Sequence, residues 1–112
     1  MSTYKCVIAN RVAVPVRFDI NDAGKNQHHS FTLFCERLSQ DELASKVEAN
    51  MNFKEEIKKF ARGWEGQRVV VTEDNSPADF NEDSLEMLLS IAGIHQVIWI
   101  AYMKEVGAKV KN

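Results

Sequence analysis

A chain of 112 residues, 45% hydrophobic and 27% charged, has the size of one domain and too much apolar content for disorder. Its net charge of -2 argues against general nucleic-acid binding, which needs a concentrated basic surface. No apolar run approaches the eighteen or so residues of a membrane span, and the first residues lack a signal peptide's basic-then-apolar order, so a cytoplasmic protein without membrane contact is expected.

Residues 1–10 are ambiguous, although Tyr4, Cys6 and Ile8 alternate. From Val12 the pattern sharpens: Val12, Val14, Val16, Phe18 and Ile20 are apolar at every second position, as in a half-buried strand. Pro15 sits on the other face and cannot donate to a ladder, which places the strand at a sheet edge. Asn21 to His29 reads as a long polar loop with a turn at Asp22-Ala23-Gly24. Phe31, Leu33 and Cys35 resume the alternation and form the second arm of a hairpin.

The helical part opens at Ser39. Ser39 and Glu42 have the spacing of a capping box, and Leu38 and Leu43 that of a hydrophobic staple across the same cap. Leu43, Val47 and Met51 continue one face, and Asn50-Met51-Asn52 reads as a break. Asn52 then caps a second helix with Phe53, Ile57, Phe60 and Ala61 inward. Gly63 is expected to end it, and Trp64 to anchor the core. Val69-Val70-Val71 is a short β-prone run, followed by an acidic loop, Glu73 to Asp79, that contains Pro77. Asn81 caps a third helix with Phe80 and Leu85 as its staple and Leu85, Leu88 and Leu89 inward. Gly93 separates it from a last helix, Ile94 to about Val106, which Gly107 ends.

That last segment is the most apolar of the chain. Intrinsic propensity alone makes Val97-Ile98-Trp99-Ile100-Ala101-Tyr102-Met103 a strand. Wound as a helix at about 100° per residue, it places Ile94, Val97, Ile98 and Ala101 on one face and Trp99, Ile100 and Met103 on the other. A helix apolar all round needs cover all round, so the second face, with Met87, is expected to contact another copy or another protein. The fold expected is therefore α+β: one domain spanning residues 1–112, with an antiparallel hairpin over 12–37 packed against about four helices over 39–106, the C-terminal half being helical.

Charge is segregated. Between Arg68 and Lys104 there is no Lys or Arg, while Glu73, Asp74, Asp79, Glu82, Asp83 and Glu86 all fall there; Lys54, Lys58, Lys59, Arg62 and Arg68 precede them. An acidic loop leading into a helix start explains this blandly. A bipolar surface that stacks copies or steers a basic partner is the sharper alternative. No site chemistry stands out. His28-His29 lacks a nearby acid or Cys cluster to complete a metal site, and His95 has no motif. Cys6 and Cys35 read as reduced thiols, with a disulfide as the alternative. There is no glycine-rich phosphate loop, nucleophile motif or zinc-binding helix motif, so neither an enzyme nor a cofactor is expected.

The order of segments resembles the tail assembly chaperones of long-tailed bacteriophages. The likeness runs from about residue 12 to 106. It lies in the hairpin leading into Arg37-Leu38-Ser39-Gln40-Asp41-Glu42, the helix ending near Gly63-Trp64, the acidic turn Glu73-Asp74-Asn75-Ser76-Pro77 before Phe80, the Leu88-Leu89 helix and the last helix with Ala101-Tyr102. Many members have Gly in the acidic turn where this chain has Asn75 or Ser76. The resemblance implies a non-enzymatic role in virion morphogenesis: coating the tape measure protein, helping tail tube protein polymerise around it, acting in the host cytoplasm and remaining absent from the mature virion. Under it, Met87, Trp99, Ile100 and Met103 are the candidate partner-binding residues, and a homo-oligomer is expected. A small acidic inhibitor or adaptor acting on a host protein through residues 73–86 is the competing reading.

Overall fold

Alternation builds the hairpin as expected. In a computed structural model, which describes residues 3–48 and 52–110, β1 (Arg11–Asp22) and β2 (Lys25–Glu36) pair antiparallel along their whole length. Val12, Val14 and Val16 are buried opposite Cys35, Leu33 and Phe31. The long loop expected over 21–29 is replaced by ladder. Only Ala23 and Gly24 connect the strands, at φ 54° and 93°, and the Gly24 N–H donates to Asn21 Oδ1 at 2.7 Å. Two successive left-handed residues give a turn whose twist matches that of the strands it joins, so polar residues on either side stay in register.

β1 is an edge strand, with sheet order β1-β2-β3. Hydrogen-bonded and non-bonded pairs alternate from the closing pair Asp22–Lys25, which makes Pro15–Thr32 a non-bonded pair. The N–H that Pro15 lacks would point to the open edge, so the ladder loses nothing there.

Side-chain caps start the helices where expected. At α1 (Gln40–Glu48), Ser39 N–H donates to Glu42 Oε1 at 3.0 Å and Glu42 N–H to Ser39 Oγ at 3.2 Å. Asn52 caps α2 (Phe53–Phe60), and Asn81 with Ser84 forms a reciprocal box at α3 (Glu82–Leu89). Asn50 and Met51, expected at the end of the first helix, lie outside the described residues.

The second helix ends earlier than Gly63. It stops at Phe60, and Ala61–Glu65 forms β3, antiparallel to β2. Ala61 pairs with Cys35 and Gly63 with Phe34, so Arg62 is an extra residue that kinks the strand. Gly63 thus faces a cross-strand phenylalanine instead of closing a helix. Trp64, opposite Leu33, packs edge-on against Phe31 and Phe80 and donates its indole N–H to Ala78 O at 3.0 Å. The β-prone Val69–Val71 run makes no strand and contributes only a bridge between Val71 and Pro77. Buried Gln67 takes over the ladder's role: its amide donates to Val70 O and Ala78 O, and its carbonyl accepts from the N–H groups of Val69 and Val70.

The architecture is therefore mixed α+β, among the described residues a three-stranded antiparallel sheet with four helices, α4 being Ile94–Val106. The C-terminal half also holds β3 and the irregular stretch to Asn81, so it is less helical than expected. One core joins the inner face of the sheet to Ile57, Phe60, Leu85, Leu88, Leu89 and α4. Gly93, at φ 84°, turns α3 into α4 through 106°, and among the described residues no single helix is long and apolar enough to cross a membrane.

Candidate protein-binding surface

The segment that propensity makes a strand is helical because burial overrides propensity. Ile94, Ile98, Tyr102 and Val106 form an i, i+4 row that α4 buries against β1 and α2. Its first turn is tied back by His95 Nε2, 2.8 Å from Leu89 O, and Arg37 donates to Val106 O at its last turn, where a cation is favourable.

The buried row is not the one expected. Ile94 and Ile98 belong to it, but Val97 and Ala101 are only half-buried, and Tyr102 and Val106 take the inner positions. The phenol decides this. Tyr102 stacks on Phe60 at 4.1 Å between centroids, its hydroxyl donates to Glu36 O at 2.8 Å and it accepts from Leu38 N–H at 3.0 Å. A tyrosine whose polar tip is satisfied by backbone packs inside at little penalty. Burial raises its pKa to about 12.

The four candidate contact residues divide. Ile100 is 55% exposed, Met103 39% and Met87 61%. Trp99 is half-buried in an aromatic stack with Phe53, Phe60 and Tyr102, at centroid distances of 5.7, 6.2 and 6.0 Å. Met87 is on α3, so Ile100 and Met103 are the exposed large apolar residues of α4 itself.

Beside Ile100 runs a groove of about 440 Å³ between the open edge of β1 and the outer side of α4. Pro15, Val97, Ile100 and Ala101 supply its apolar lining, and Arg17, Lys104 and Glu105 its charged rim. Glu105 is held by Lys109 at 2.7 Å, whereas Arg17 and Lys104 are exposed and have no ion-pair partner among the described residues. Much of the basic segment before the acidic loop is engaged in ion pairs, with carboxylates shared between lysines. Lys54 and Lys58 both reach Glu86, Lys59 reaches Glu56, and Arg62 reaches Glu36 at 3.0 Å. Nearness along the chain does not report which of these charges pair.

The other reactive groups have structural surroundings. Cys35 is fully buried in the sheet, and burial pushes its thiol up to about 12, well away from a thiolate nucleophile. Cys6 is exposed, and neither cysteine is in a disulfide. His28 pairs with Asp19 across the exposed hairpin at 2.5 Å, and His29 stacks on Phe18. Among the described residues no three His, Cys, Asp or Glu groups converge as metal ligands would. No protein-family model, curated protein or solved structure matches the chain significantly.

Proposed function

We propose that this chain is a non-enzymatic, protein-binding chaperone of phage tail assembly. In this reading it holds the tape measure protein in the host cytoplasm, hands it to tail tube protein and is left out of the mature virion. The observation that carries the protein-binding part is the exposed pair Ile100 and Met103 beside a groove with an apolar lining and a charged rim, on a helix whose opposite side is committed to the core. A long helical target offers apolar side chains every three or four residues, and a shallow surface with an adaptable methionine suits such a repeating ligand. The partner's identity rests on the resemblance over residues 12–106. Asn75 adds support: it adopts φ 66°, the left-handed conformation that favours the glycine many family members have in this turn.

Co-expression with fragments of the tape measure protein tests the proposal. The wild-type chain should retain a fragment, and Ile100→Ser with Met103→Ser should weaken retention about tenfold, as loss of two contact side chains does. No retained fragment, or equal retention by the folded double variant, would falsify it. The adaptor reading has its own support in the exposed loop 72–79, braced by the Val71–Pro77 bridge and by bonds from Thr72 and Ser76 to Asp74. It requires loop charge reversal, and not the α4 substitutions, to abolish capture of a host protein.

A further inference from the structure

Residues 3–10, ahead of β1, are exposed and belong to no helix or strand. Two of them are large and aliphatic, Val7 at 89% exposure and Ile8 at 61%. Arg37 holds the base of this arm: its backbone N–H donates to Asn10 O at 3.4 Å and its Nε to Ala9 O at 3.1 Å. The sequence there, Ile8-Ala9-Asn10-Arg11, parallels the turn at the other end of β1, Asp22-Ala23-Gly24-Lys25. Each places Ala and then a residue that tolerates the left-handed conformation ahead of a cation, and Ala23 itself adopts φ 54°. Backbone parity agrees. Counted from the closing pair Asp22–Lys25, the even-numbered residues of β1 spend their backbone groups on β2, so those of Arg11 and Ala13 point to the open edge. A two-residue turn at Ala9-Asn10 closes with a bonded pair, Ile8 with Arg11, and the next bonded pair is Cys6 with Ala13. The Asn10 carbonyl points opposite to the Arg11 N–H, back toward β2, and so keeps its bond from Arg37.

We infer that residues 4–8 are a strap that folds back as a fourth strand on the edge of β1 and covers the Pro15 wall of the groove beside α4. Opposite residues share a face, so closure sets Val7 beside Val12 on the core side and Tyr4 beside Pro15 on the outer side. Pro15 has no N–H to give in return, which ends the new ladder before Arg17. Closure exchanges the Arg37 Nε bond to Ala9 O for two strand pairs and takes Val7 out of water, at the cost of ordering a short segment. Both arrangements are therefore populated, and the structure shows the open one. Any occupant of the groove competes with the strap, which lowers its apparent affinity in proportion to the closed fraction. The inference goes beyond the chaperone reading. Its test contains no partner protein, so the failure of one is distinguishable from the failure of the other.

Nuclear magnetic resonance of the isotope-labelled full chain reads the strap. Val7 and Val12 form a non-bonded pair in the closed arrangement, with Cα atoms about 4.5 Å apart, so their Hα protons share a cross-peak. Wild type should show it, at a relative intensity that survives about tenfold dilution, as a contact within one chain must. Ala9→Asn with Asn10→Gly installs the preferred two-residue turn; it should strengthen the cross-peak and slow amide exchange at Ala13 about threefold or more. Ala9→Pro keeps the carbonyl that Arg37 reaches but fixes φ at about −65°, so it should erase the cross-peak and leave Ala13 exchanging fastest of the three. The substitutions lie in the exposed arm, and unchanged shifts of buried Leu33 and Ile98 confirm that each variant folds. A wild type without the cross-peak overturns the inference, even if the engineered turn produces one. So do a cross-peak lost on dilution, which comes from another copy, one that persists in Ala9→Pro, and equal Ala13 exchange in all three chains.

Discussion

Trp99 and its neighbours Ile100 and Met103 separate folding from binding. Trp99→Ala removes a half-buried indole that meets three rings within 6.2 Å. Full burial of such a residue is worth about 3–5 kcal/mol on truncation, and each aromatic pair adds about 0.5–1.5 kcal/mol. Scaled for its partial exposure, the loss should be about 2–3 kcal/mol. Ile100→Ser with Met103→Ser acts on exposed side chains and should stay within about 0.5 kcal/mol. With a urea slope of about 1.5–2 kcal/mol per molar, the Trp99 variant's midpoint falls by about 1–2 M and the double variant's by under about 0.5 M. Urea titration followed by circular dichroism measures both. If the two variants exchange order, or if Trp99→Ala leaves the midpoint in place, the assignment of Trp99 to the core is wrong.

Other consequences can be measured on the same protein. Tyr102→Phe keeps the ring stack but strips Glu36 O and Leu38 N–H of their partner, and should lower stability by about 2 kcal/mol; a midpoint equal to wild type would show that water replaces the hydroxyl. Gln67→Leu removes four backbone contacts from a buried side chain, so amide exchange at Val69 and Val70 should accelerate sharply while the β1–β2 amides keep their protection. Stability should also fall at alkaline pH. The folded chain holds the Cys35 proton to about 12 against an ordinary value of 9.0, and the Tyr102 proton to about 12 against 10.0, so it binds more protons than the unfolded chain between those limits. The contribution is complete below pH 9 and declines by at most about 1.4 kcal/mol per pH unit per group above it. A urea midpoint unchanged from pH 7 to about 10.5 would contradict this.

Local chemistry was legible in the sequence wherever a side chain acts on backbone a few residues away. Ser39 with Glu42, Asn52 and Asn81 each begin the helix their spacing announces. Strand alternation likewise placed Val12, Val14, Val16, Phe31, Leu33 and Cys35 in the core. What stayed hidden depends on distant partners. Gly63 resembles a helix stop until Phe34 pairs with it across the sheet, and Gln67 resembles a surface amide until Val70 and Ala78 surround it. On α4 the apolar residues surround the helix, so periodicity could not choose the buried side. The choice was made by carbonyl and amide groups of residues 36 and 38, some sixty-five positions earlier in the chain. The candidate surface was legible in part: Ile100 and Met103 by their hydropathy, its rim cation Arg17 not at all, because the hairpin brings that residue to α4.

Pro15 carries a consequence for how such a molecule avoids misassembly. Among the described residues the outer edge of a twelve-residue strand lies open next to greasy side chains, the combination from which amyloid-like stacking starts. Replacing one outward-pointing amide with a pyrrolidine ring breaks the continuous row of donors that an invading strand would need. Whatever occupies the neighbouring hollow must then be recognised by its side chains, and adhesion through main-chain zippering is discouraged at the place where it would do most harm.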